Sequence, residues 1–178
     1  MATGDSLRTE GLRLYRESRY EDAAQKFAEA QSAFSAQGGA RDAAESANNC
    51  GVCWRQAARW AEAHAAFDAA RAAFHALGDV AGEGQVIGNL GALADSEGQP
   101  AQAIEYYTEA IALLESAGEK DLAQATYTAL SRLKMRQGNW LGALDAYEGG
   151  LAQVDRPSMM QRVLRRFLNV PRKLSGGS

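Results

Sequence analysis

Four residues invite a chemical reading first: Cys50 and Cys53, spaced C-x-x-C, and the two histidines, His64 and His75. A C-x-x-C pair can cycle between dithiol and disulfide, but such a site needs its cysteines at a helix N-terminus, where the dipole favours thiolate. A zinc site needs four ligands, and two cysteines one helical turn apart supply half of them. His64 and His75 fall in no cluster with the cysteines that would complete such a set. A further group, Gly82, Gly84, Gly88 and Gly91, is glycine-rich but follows no strand, so it lacks the setting of a phosphate loop. The expectation is a chain with no catalytic constellation, no metal and no cofactor.

The elements that carry these residues explain why. The sequence repeats every 40 residues: blocks beginning at Arg19, Arg59, Gln99 and Asn139 align Ala23, Ala63, Ala103 and Ala143, then Phe27, Phe67, Tyr107 and Tyr147. Gly38, Gly78 and Gly118 fall in one register; Gly11, Gly51, Gly91 and Ser131 fall in another. A fixed period with small and aromatic residues in fixed slots marks a stacked repeat rather than a single-core domain. In this register Cys50 takes the slot of Leu90 and Leu130, which makes it a core position. Trp54, Trp60 and Trp140 occupy aromatic slots and are expected in the core as well.

The composition is rich in Ala, Leu, Glu, Gln and Arg, which favours helix. Each unit reads as two helices: 5–17 and 20–37, 43–57 and 60–77, 83–97 and 100–117, 121–137 and 140–154. In the third unit Pro100 opens the second helix and Ala103, Ile104, Tyr107, Ala110, Ile111 and Leu114 form its buried stripe. The glycines in the first helix of that unit read as close-packing positions. Each costs about 0.5–1 kcal/mol relative to alanine, so this helix is expected to be the softest element.

Residues 157–169 read as a further amphipathic helix, with Met160, Val163, Leu164, Phe167 and Leu168 at helical spacing and arginines, Arg165 among them, between. Residues 171–178 read as a flexible tail. The net charge of −3 hides an asymmetry: all six charged residues from Arg156 onward are cations, so a body of −9 carries a tail of +6. An acidic partner for that tail is implied, and the nearest acidic surface is the repeat body, its own or a neighbour's. The helix can cap the last repeat, dock on another copy to give a homo-oligomer, lie on a membrane surface, or bind nucleic acid. The acidic body opposes the last of these, and a membrane surface is disfavoured. No run approaches the roughly 18 apolar residues that span a bilayer, and the N-terminus lacks the apolar core of a signal peptide, so a cytoplasmic location is expected.

The helix-pair unit resembles the tetratricopeptide repeat. The match is carried by Asn89-Leu90-Gly91, Ala94, Gly98, Pro100, Ala103, Tyr107 and Ala110, by Cys50-Gly51, Trp54, Trp60, Ala63, Phe67 and Ala70, and by Gly11, Leu14, Tyr20, Ala23, Phe27 and Ala30. Leu130-Ser131, Trp140, Ala143, Tyr147 and Gly150 match more weakly. It covers about residues 4–155, with repeats at 4–38, 43–78, 83–118 and 121–155, and departs from the family in its period, which is about 34 there.

The resemblance implies an all-α, right-handed helix-pair solenoid closed by the C-terminal amphipathic helix. It also implies a non-catalytic scaffold whose concave face, lined by the first helix of each unit, holds a peptide or partner protein. Asn49 and Asn89 resemble the family's clamp for a peptide backbone. One turn on, the groove-facing slot holds Tyr15, Arg55, Asp95 and Met135, with Arg132 and Arg136 nearby. A competing class is a self-assembling structural protein, in which the basic helix docks on the acidic body of a neighbour.

Overall fold

A computed structural model describes residues 3–154. They form eight helices: α1 (Gly4–Arg16), α2 (Tyr20–Ala36), α3 (Ala40–Gln56), α4 (Trp60–Leu77), α5 (Val80–Ser96), α6 (Pro100–Ser116), α7 (Lys120–Arg136) and α8 (Trp140–Ala152). No helix among these residues is long and apolar enough to cross a membrane. α3 and α5 begin at Ala40 and Val80, three residues ahead of the expected 43 and 83. The helix starts immediately once the turn has reversed the chain.

That turn is the smaller unit inside the 40-residue repeat. A residue with positive φ recurs every 20 positions, at Ser18, Gly38, Ala58, Gly78, Gly98, Gly118 and Gly138. Around each, two amides satisfy carbonyls the helix end leaves open. Gly38 N donates to the Ser35 carbonyl at 3.1 Å and Gly39 N to the Phe34 carbonyl at 2.9 Å. Ala58 N and Arg59 N do the same toward Arg55 and Trp54 at 3.1 and 2.9 Å. These are Schellman turns, and the left-handed residue is their centre. The residue after it already caps the next helix, so Asp79 Oδ1 accepts from Gly82 N at 2.9 Å. Ser18 and Ala58 adopt the left-handed conformation without being glycine, which the glycine register in the sequence does not show.

The glycine and aromatic slots meet across the pair. A Cβ at Gly11 would lie 3.1 Å from the Phe27 ring; at Gly51, 2.6 Å from Phe67; at Gly91, 2.8 Å from Tyr107. Only a bare backbone lets the ring lie flat on the facing helix. α5 uses the device twice more, with Gly82 against Phe74 of α4 and Gly84 against Leu114 of α6. Gly88 meets only ordinary contacts. Each odd helix therefore packs between its neighbours: Val86, Leu90 and Leu93 join Phe67 and Phe74 of α4 in one cluster. Leu130 and Leu133 of α7 join Tyr107 and Ile111 of α6 in another. α3 also touches α5, and α5 touches α7, so the odd helices make the inner layer of the solenoid and the even helices the outer.

The two outermost helices differ. In α1 the slots equivalent to Val86, Leu90 and Leu93 hold Ser6, Glu10 and Arg13, and Arg13 bonds Glu10 at 2.7 Å and Glu17 at 2.5 Å. That face is finished for water. α8 turns an apolar face outward instead, with Trp140 69% exposed, Leu141 79% and Leu144 44%. Trp140 is therefore not a core residue: Trp60, its equivalent, packs against a cluster that includes α5 residues, and no described helix follows α8. The segment holding Met160, Val163, Leu164, Arg165, Phe167 and Leu168, and the expected tail at 171–178, lie outside the described residues.

Candidate functional site

The inner-layer face of α3, α5 and α7 gathers most of the residues singled out in the sequence. Asp95 of α5 and Arg136 of α7 form an ion pair, with Arg136 Nη2 2.6 Å from Asp95 Oδ2. Their side chains are 26% and 58% exposed. An exposed pair of this kind contributes only about 0.2–1 kcal/mol to stability, so folding alone does not require it.

Tyr107 of α6 is 4% exposed. Burial pushes its phenol up to about 12; Asp95 adds to that, while Arg55 and Arg136 oppose it. All three charged residues are thus close enough to act on one buried hydroxyl. Arg55 has its own irregularity: its Nε is buried and has no hydrogen-bond partner. A buried donor left unsatisfied costs about 1–3 kcal/mol. Arg55, Asp95 and Arg136 come from three successive odd helices, so the row exists only because the helices stack in register. Arg132 is on the same helix as Arg136 but is exposed and joins neither Asp95 nor Arg55.

The asparagines behave differently from one another. Asn89 Nδ2 donates to Asn48 Oδ1 at 2.8 Å, bridging α5 to α3. Asn48 is 4% exposed. The side chain of Asn49, half-buried, makes no hydrogen bond among the described residues. Beside Asn89 a groove of about 230 Å³ runs between α5 and α7, with Gln85, Gly88 and Ala92 on one wall and Ala125 and Ala129 on the other. Tyr107 and Leu114 of α6 form its floor. Sequence reasoning placed Tyr107 in the buried stripe of α6 but missed Asn48 and this groove. The small residues at Gly88, Ala92, Ala125 and Ala129, spaced by four, were the available signal.

The cysteines are packed in the core, and each histidine faces one glutamate. Cys50 is 6% exposed and Cys53 1%. Both are free thiols, and Cys50 Sγ donates to the Ala24 carbonyl at 3.4 Å. Burial pushes Cys50 up to about 11 and Cys53 up to about 12. That direction is opposite to the thiolate a redox pair needs. His64 Nε2 lies 3.1 Å from Glu97 and His75 Nδ1 3.1 Å from Glu83, both between α4 and α5 or its C-cap. Among the described residues no group of three or more His, Cys, Asp or Glu could hold a metal ion.

Comparison with known proteins places the fold. The profile of the SNAP family, described as soluble NSF attachment protein, matches residues 7–168. The chain belongs to the SNAP family. No curated protein matches it. Among solved structures, a crystal structure of BtubC (BKLC) from P. vanneervenii superposes with a TM-score of 0.66 at 18% identity. The alignment covers 98% of this chain and 65% of that one, so this SNAP-family chain spans about two thirds of that protein's length. At that identity the likeness speaks for the fold: an all-helical solenoid of stacked helix pairs.

Proposed function

We propose that this protein is a non-catalytic interaction scaffold of tetratricopeptide-like helix pairs, which holds a peptide or an extended segment of a partner protein along its inner layer. The observation that carries this is the unpartnered Nε of Arg55 beside the Asp95–Arg136 pair. A carbonyl or carboxylate of a bound segment would satisfy that donor, and the side-chain amide of Asn49 offers both a donor and an acceptor to a peptide backbone. Asn89 rims the groove of small residues that would take an apolar side chain of the same segment. The SNAP family is described as soluble NSF attachment protein. The mode, rather than that partner, is what we carry to this chain.

The test begins with peptides selected by phage display on the full chain, followed by calorimetric titration of the best binders. Arg55→Met, Asn89→Ala and Arg136→Ala should each weaken binding, with Arg55→Met costing about tenfold, or 1.4 kcal/mol. Undiminished affinity in all three variants would reject the inner layer as the binding face.

The alternative, self-assembly through the basic segment docked on a neighbour's acidic body, draws on the exposed face of α8. End-to-end stacking is its least favourable form. It would set Glu10 and Arg13 of one copy against Trp140 and Leu144 of the next.

A further inference from the structure

Every internal even helix offers one face to the odd helix that follows. In α4 that face includes Trp60 and Phe67, which pack with Val86, Leu90 and Leu93 of α5. In α6 it includes Ile104 and Tyr107, which pack with Leu130 and Leu133 of α7. The equivalent slots of α8 are Trp140, Leu144 and Tyr147, and Trp140 and Leu144 remain 69% and 44% exposed. Leaving an indole and a leucine side by side in water forgoes the burial that drives the rest of the array.

We propose that residues 157–170 of the same chain cover this face as a ninth helix, seated in the register of an odd helix. The length of α8 sets the frame. Among the described residues it has 13 residues, whereas α6 and α7 have 17. The 20-residue rhythm would start the next helix at 160; our register starts it at Pro157 instead, because proline suits the first helical position, as Pro100 does in α6. Counting from Pro157 as from Val80, Val163, Phe167 and Val170 take the slots of Val86, Leu90 and Leu93, and Leu164 takes that of Ile87. All four are apolar, as the slots require. In this frame Phe167 meets Tyr147 where Leu90 shares a cluster with Phe67.

Charge agrees with the register. α8 carries Asp145 and Glu148 and no cation, while the six charged residues from Arg156 onward are all cations. Continuity agrees as well, because the family match runs through residue 168, past the end of α8. Pro171 then ends the helix near the level of Leu144. The polar slots of α1 make a second copy's first helix a poor substitute for this cover.

The test uses the full chain with Tyr147→Cys and Phe167→Cys, treated at pH 7 with a short bismaleimide in dilute solution. Cys50 and Cys53 are buried and their thiols are pushed up to about 11 and about 12, so they stay unmodified. Peptide mapping should find one linker joining positions 147 and 167 within a single chain. A control pair, Arg41→Cys with Phe167→Cys, should not link. A linker between two chains, or no linkage above the control, would overturn the proposal. Because both substitutions touch the interface, thermal melts give an independent reading. Phe167→Asp should lower the Tm of the full chain by at least about 3 °C, and should lower it less in a Leu144→Asp background. Fully additive shifts would also overturn it.

Discussion

At residue scale, Ser18 and Ala58 show how a structural rule can hide in a sequence. The positions at 38, 78, 98, 118 and 138 all carry glycine at positive φ, while Ser18 sits at φ 60° and Ala58 at φ 55°. The left-handed conformation costs an L-residue roughly 1 kcal/mol, and glycine escapes it. Ala58→Gly should therefore raise stability by about 0.5–1 kcal/mol in urea denaturation, even though it adds chain entropy to the unfolded state. A loss of stability would mean that Ala58 is held by contacts outweighing its strain. The 40-residue register was legible because glycines and aromatics repeat in it. The 20-residue turn rhythm was not, since two of its seven marks are not glycine. The site shows the same limit: Asn49 and Asn89 share a slot in the alignment, but the hydrogen bond goes from Asn89 to Asn48, one residue and about 100° around the helix.

At the scale of helices, contact sterics decide the packing. Gly82 is the tightest case: a Cβ there would lie 2.3 Å from Phe74 Cδ1, inside the contact limit of any carbon pair. Gly82→Ile should cost about 1–3 kcal/mol by forcing α4 and α5 apart. The same change in a Phe74→Ala background should cost much less, because the ring it strikes is gone. Equal costs in the two backgrounds, measured by urea unfolding, would show that backbone propensity rather than the ring sets the penalty. The Gly11–Phe27, Gly51–Phe67 and Gly91–Tyr107 pairs were readable in sequence because the offset between glycine and aromatic is constant, whereas the Gly82–Phe74 pair does not recur in the other units. Trp140 was misplaced because a slot specifies what a residue can pack against, whereas burial depends on which helix follows. α8 repeats the slot without a described helix after it.

For the whole molecule, stability should follow position in the stack, and α5 is where composition and architecture disagree. Its four glycines together weaken the helix by about 2–4 kcal/mol relative to alanine. Against this, Val86, Ile87 and Leu93 are 0% exposed and Leu90 1%. Burying four such side chains contributes about 6–12 kcal/mol, an upper figure because unfolded chains already bury some surface. Packing outweighs propensity, so the expectation from the glycines alone, that α5 is the softest element, reverses. In an array whose units contact only their neighbours, the enclosed helices open last and the end helices first. Hydrogen exchange read by mass spectrometry should find the slowest amides in α5 and faster exchange in α1, whose outer slots are Ser6, Glu10 and Arg13. Exchange in α5 as fast as in α1 would mean that the glycine cost governs after all. It would also make the inner face flexible at its centre, where Asp95 and Asn89 stand. A rigid α5 holds these two at a fixed spacing from Arg55 and Arg136, which a groove that recognises an extended segment requires.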